Sequence, residues 1–135
     1  MRTTVTSTRR RGGLAALAAL LLAGTIASAG TAQAETHRLD CVVDTLAYKV
    51  CSGKLTLQVG QRLEVDLISS GGHKLRFCAE PFGGGFDHGC SGWVNPGANT
   101  QLVWHNGTSG PKDVQLIVGR QYPTTVHARG NFHVR

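Results

Sequence analysis

Lys54-Leu55-Thr56-Leu57-Gln58-Val59-Gly60-Gln61-Arg62-Leu63-Glu64-Val65-Asp66-Leu67-Ile68-Ser69-Ser70-Gly71-Gly72-His73-Lys74-Leu75-Arg76-Phe77 is the stretch from which the fold follows. Polar and apolar residues alternate along 54–59, again along 62–67, and again along 73–77. Gly60-Gln61 and Ser69-Ser70-Gly71-Gly72 break the alternation. A period of two sends successive side chains to opposite faces of a strand, and glycine and serine at the breaks supply turns. Leu63, Val65, Leu67, Leu75 and Phe77 are therefore expected on a core face.

The same period continues downstream. Residues 100–104, 113–118 and 131–135 read as strands, with Val114, Leu116, Val118, Phe132 and Val134 on one face. Residues 80–89, with Pro81 and Gly83-Gly84-Gly85, read as a loop, and so do residues 91–99. Residues 55–77 faintly echo 114–135, which suggests two hairpin-like units. No segment of ten residues after the first 34 has helical periodicity. Short strands and eighteen glycines point to an all-β fold, a small antiparallel immunoglobulin-like sandwich, with a closed barrel as the alternative.

The first 34 residues have a different character. Arg2, Arg9, Arg10 and Arg11 precede thirteen uncharged residues, Leu14 to Ile26, and Ala32-Gln33-Ala34 follows. That is the order of a cleavable export signal, with cleavage expected after Ala34. The apolar run is too short for a bilayer core, which takes about 20 residues. Arg9-Arg10 leaves the route, general or twin-arginine, open. One domain, 35–135, is expected outside the cell, with no membrane span after processing.

Removing the signal changes the charge. The chain has 14 Lys+Arg and 8 Asp+Glu; four arginines and no acids lie in the signal, so the remainder carries 10 − 8 = +2. No basic cluster suggests a nucleic-acid partner. Cys41, Cys51, Cys78 and Cys90 all follow the signal. An even count in an exported chain reads as two disulfides with three possible pairings. The sequential pairing, Cys41–Cys51 and Cys78–Cys90, is favoured; each short loop would contribute about 3 kcal/mol in the chain-entropy picture. Zinc is not expected, because neither the cysteines nor the six histidines have ligand spacing. No cofactor motif occurs. Asp87-His88 beside Cys90 is the one cluster suggestive of nucleophilic chemistry, and Glu64 and Asp66 are the one close pair of carboxylates. A polar loop and a solvated strand face account for them, and no enzyme is expected. Asn106-Gly107-Thr108 matches a glycosylation sequon. Trp104 is expected in the core, and Trp93 and Tyr122 in loops.

The run Leu55 to Leu67 resembles the opening of the chagasin-like family, small immunoglobulin-like inhibitors of papain-type cysteine proteases. Residues 114–118 and 131–135 resemble that family's last two strands. The resemblance implies three inhibitory loops. The first would be Ser70, Gly71, Gly72 and His73, where the family's Asn-Pro-Thr-Thr-Gly is absent. The second would be the segment of Asn95, Gly97 and Asn99. The third would be Arg120 to Tyr122, where proline and aromatic are exchanged. Turns alternate between the ends of a sandwich, so all three should emerge together, opposite Gly60-Gln61 and 80–89. A shorter match, Cys41 to Cys51, is similar in spacing to secreted sandwiches that carry enediyne chromophores; the second cysteine pair does not follow it. The expected function is a monomeric, secreted protein that binds a protease. Alternatives are a carbohydrate or cell-wall module using Trp93 and Tyr122, or a small antimicrobial or toxin-like protein.

Overall fold

A computed structural model describes residues 32–135; the expected signal lies outside the described residues except for Ala32 to Ala34, which are exposed. Nine strands form among the described residues: β1 (Glu35–Val43), β2 (Lys49–Val50), β3 (Leu55–Leu57), β4 (Arg62–Ser69), β5 (Leu75–Pro81), β6 (Gly89–Val94), β7 (Gln101–His105), β8 (Lys112–Arg120) and β9 (Val126–Val134). They make two antiparallel sheets. The first has the order β1-β9-β4-β7. The second has the order β2-β8-β5-β6, with β3 also pairing β8. This is the all-β, disulfide-bonded, immunoglobulin-like sandwich expected from the alternation.

The core lies between the sheets. Leu63, Val65, Leu67, Leu75, Phe77, Val114, Leu116, Val118, Phe132 and Val134 are all buried, as expected, together with Leu39, Val43, Leu55 and Leu57. Burying a side chain of this size stabilises by about 1.5–3 kcal/mol. The two bridges are Cys41–Cys51 and Cys78–Cys90, with Cα separations of 5.6 and 4.0 Å. The first ties β1, in one sheet, to the residue after β2, in the other. The second joins residues directly opposite each other in β5 and β6.

Three local expectations are corrected. The units 55–77 and 114–135 are not hairpins. β3 pairs β8 while β4 pairs β9 and β7, and β8 and β9 also lie in different sheets. The chain arches across the core at Gly60 and again at 121–125. A period of two identifies a strand's buried face but not its neighbour, so the faces of β3 and β4 meet across the core instead of lying side by side. Residues 91–94 are strand rather than loop, and β5 runs through Pro81. Cys78–Cys90 and the ladder around it hold β6 extended although its sequence, Gly-Cys-Ser-Gly-Trp-Val, has little strand propensity. Trp104 is only partly in the core. It packs against the cluster from β7, and its ring comes to where a Cβ on Gly89 would sit, 2.9 Å away.

Candidate functional site

The registers place the loops. Leu75, at the start of β5, lies opposite both Arg120 of β8 and Val94 of β6. The Gly97 N–H donates to the Leu67 carbonyl, 2.7 Å away, at the end of β4. The turn at 70–73, the loop at 95–99 and the loop at 121–125 therefore share one end of the sandwich. A fourth loop, 44–48, joins them. Val43 pairs Val126, and the Arg120 guanidinium donates to the carbonyls of Thr45 at 2.7 Å and Asp44 at 3.2 Å. The loops at 58–61, 82–88 and 106–111 occupy the other end, where the Gly60 N–H donates to the Asn106 carbonyl.

The residues singled out from the sequence divide into two groups. Gly71, Gly72, Asn95, Gly97, Asn99 and Tyr122 are exposed on the loop end, with Tyr122 58% accessible. Gly71, Gly72 and Gly97 have φ of 62°, 81° and 77°, a left-handed conformation that glycine adopts without cost. Ser70, His73 and Arg120 hold the loops in shape. Ser70 is 1% accessible and its hydroxyl donates to the His73 carbonyl, while the His73 N–H donates back to Ser70. The Arg120 side chain is committed to the 44–48 carbonyls, which makes it a positioning residue instead of the interface anchor its type suggests. The sequence reading missed the 44–48 loop, whose Leu46 is 77% accessible; Ile68 at the end of β4 is exposed as well. An apolar Leu46 outside any alternating run, between Thr45 and Ala47, was the available signal.

Electrostatics reinforce the same end. A hydrogen bond from its own backbone N–H, then the Lys49 ammonium 3.3 Å away, hold the Asp44 carboxyl below its ordinary value of 3.8. The outer face of the first sheet carries a second polar group. The Thr100 hydroxyl donates to Asp66, whose other oxygen meets His133 Nε2 at 2.7 Å; His133 Nδ1 meets the Thr36 hydroxyl at 2.9 Å. The Thr100 bond, and then His133, hold the Asp66 carboxyl below 3.8 against partial burial. Glu64 pairs with Arg135. The two carboxylates are thus bound into cross-strand ties on a sheet face.

Other candidates resolve similarly. Cys90 is bonded to Cys78, so no thiol nucleophile stands beside His88, whose ring stacks on Trp104 at 4.7 Å. Among the described residues the one close set of three metal-ligating types is Cys78, Asp87 and Cys90, and two of these are bonded to each other. Asn106 of the sequon is fully buried. Its amide donates to the carbonyls of Leu57 and Gly110 at 2.9 and 3.0 Å, and its oxygen accepts from Thr108. A cavity of about 470 Å³ at the opposite end is lined partly by Ala32 and Gln33, residues of the expected signal. No helix of the described residues is long and apolar enough to cross a membrane. No family model, curated protein or solved structure matches the chain.

Proposed function

We propose that the chain is a secreted protein, released from its signal after Ala34, which binds a protein target through its loop end and acts on a papain-type cysteine protease as an inhibitor rather than as an enzyme. The observation that carries this reading is the convergence of four loops on one end of a doubly bridged sandwich. Leu46, Ile68 and Tyr122 stand exposed there, while buried Ser70 and the Arg120 guanidinium hold the loops in shape. A framework that fixes its loops before binding loses little conformational entropy on association. Three glycines with positive φ bring bare backbone to the surface, which suits a narrow cleft. Two disulfides accord with an extracellular life. The chagasin-like resemblance of the framework supplies the target class.

The test is a papain assay with the purified 35–135 protein. Inhibition without cleavage of the inhibitor is expected, weakened about tenfold or more by Tyr122→Ala or Leu46→Ala, the range for truncating a well-packed interface side chain. Phe82→Ala, on the opposite loop, should leave inhibition unchanged. Full papain activity at a large molar excess of the protein would overturn the protease reading.

A further inference from the structure

The outer face of the second sheet adjoins the loop end, from which it borrows Tyr48, and otherwise presents strand residues. Registers set four positions in one row across β6, β5, β8 and β2: Trp93 lies opposite Arg76, Arg76 opposite Gly119, and Tyr48, preceding β2, covers Gly119. The Tyr48 ring comes within 2.7 Å of where a Cβ on Gly119 would be, so the missing side chain is what lets the ring lie against the sheet. The next row is Cys90, Cys78, Ile117 and Val50. Cys78 and Ile117 are buried yet stand apart from the core cluster. Gln115 donates to Glu80 at 2.6 Å in the third row and closes the patch with polar groups.

Two aromatic residues therefore flank an apolar floor, Trp93 43% and Tyr48 42% accessible. Arg76 lies between them. Among the described residues its side chain makes one hydrogen bond, Nε to the Ser91 carbonyl at 3.2 Å, and no ion pair. An exposed carboxylate of opposite sign, Asp87, lies within 4.8 Å of both sulfurs of the Cys78–Cys90 bridge.

We propose that this face binds a neutral polysaccharide, with sugar rings stacking on Trp93 and Tyr48 and hydroxyls hydrogen-bonding to Arg76 and Asp87. Size and charge select this occupant. Three strand spacings by one two-residue step is roughly 14 by 7 Å. That is far below the roughly 800 Å² per partner of a stable protein interface, but it suits a chain of flat rings. Charges of both signs at its borders favour neither a cationic nor an anionic partner, whereas a guanidinium donor and a carboxylate acceptor together match the donors and acceptors of sugar hydroxyls. The site differs from one built on Trp93 and Tyr122, because Tyr122 sits on the β8–β9 loop and outside this row.

The experiment is sedimentation of the 35–135 protein with insoluble cellulose and, separately, chitin, alongside its sedimentation velocity alone. Retention by at least one polymer is expected, lowered about tenfold by Trp93→Ala and by Arg76→Gln, as for loss of a central contact in a small interface. Tyr122→Ala should be retained like the parent protein. Each variant's melting curve shows that it is folded; Trp93→Phe, which keeps a stacking face, should restore most retention to a Trp93 variant. No retention by either polymer, retention indifferent to Trp93→Ala, or a dimer that Trp93→Ala dissolves would each overturn the proposal, the last in favour of a second copy of the chain.

Discussion

Gly130 shows how sharply one position can be constrained. It lies in β9 opposite Leu67, where β4 bulges at Ile68, and a Cβ added to it would fall 1.9 Å from the Asp66 carbonyl oxygen. Backbone cannot yield as a flexible side chain can, so Gly130→Ala must push apart β4 and β9, the central strands of the first sheet. We expect a loss of about 3 kcal/mol or more in denaturant unfolding, at the severe end for a single substitution. Gly92→Ala, whose added carbon meets nothing within 4 Å, should stay within about 0.5 kcal/mol of the parent. Equal effects at the two sites would show that β9 and β4 do not approach as described. Asn106 is constrained through hydrogen bonds instead. Asn106→Ala would take its donor from the buried Leu57 carbonyl, at a cost of about 1–3 kcal/mol, whereas the Gly110 carbonyl keeps the Thr108 hydroxyl.

At the scale of elements, alternation made most strands legible. β4, β5, β8 and the end of β9 show it plainly, and their inward residues are buried. β1 shows it too, with His37, Leu39, Cys41 and Val43 turned inward, yet it was not among the strands expected. Charged residues at 35, 38 and 40 and its place beside the expected signal disguise it. Pairing was not legible at all: the β3–β4 and β8–β9 connections read as hairpins because sequence neighbours in a sandwich usually pair, and nothing in the periodicity distinguishes a turn within a sheet from an arch between sheets. β6 was hidden because a disulfide, not propensity, keeps it extended. Replacing Cys78 and Cys90 with Ser should therefore lower the melting temperature by about 10 °C or more, since a loop closure worth about 3 kcal/mol moves a domain of this size by several degrees per kcal/mol. An unchanged curve would mean that the ladder alone holds β6.

The cross-strand tie on the first sheet sets a pH dependence at the same scale. Asp66 is held below 3.8 in the folded protein, so its contribution to stability is complete above about that pH and is lost as pH falls from 3.8 through the lower native value. Asp40, lowered chiefly by its bond to His127, has the same sign but lies exposed and is screened. Urea midpoints should fall on acidification below about pH 4, and Asp66→Asn should flatten that fall. A variant that keeps the full acid slope would assign the slope to other carboxylates.

For the whole molecule, the sequence indicated a sandwich, two bridges and three loops at one end, and the strand registers bring those loops together. It did not indicate the fourth loop, because 44–48 has no periodicity and its place is set by Arg120, 75 and 76 residues away in the chain from the carbonyls it binds. Nor did it indicate the Trp93–Arg76–Tyr48 row, which exists only once β6, β5, β8 and β2 lie side by side. The loop end is the surface proposed to meet a protein target. Backbone hydrogen exchange of the 35–135 protein, alone and with excess papain, reads this directly. Added protection is expected in 44–48, 70–73, 95–99 and 121–125 and none in 82–88 or 106–111; protection confined to the opposite loops, or unchanged everywhere, would contradict binding through the loop end.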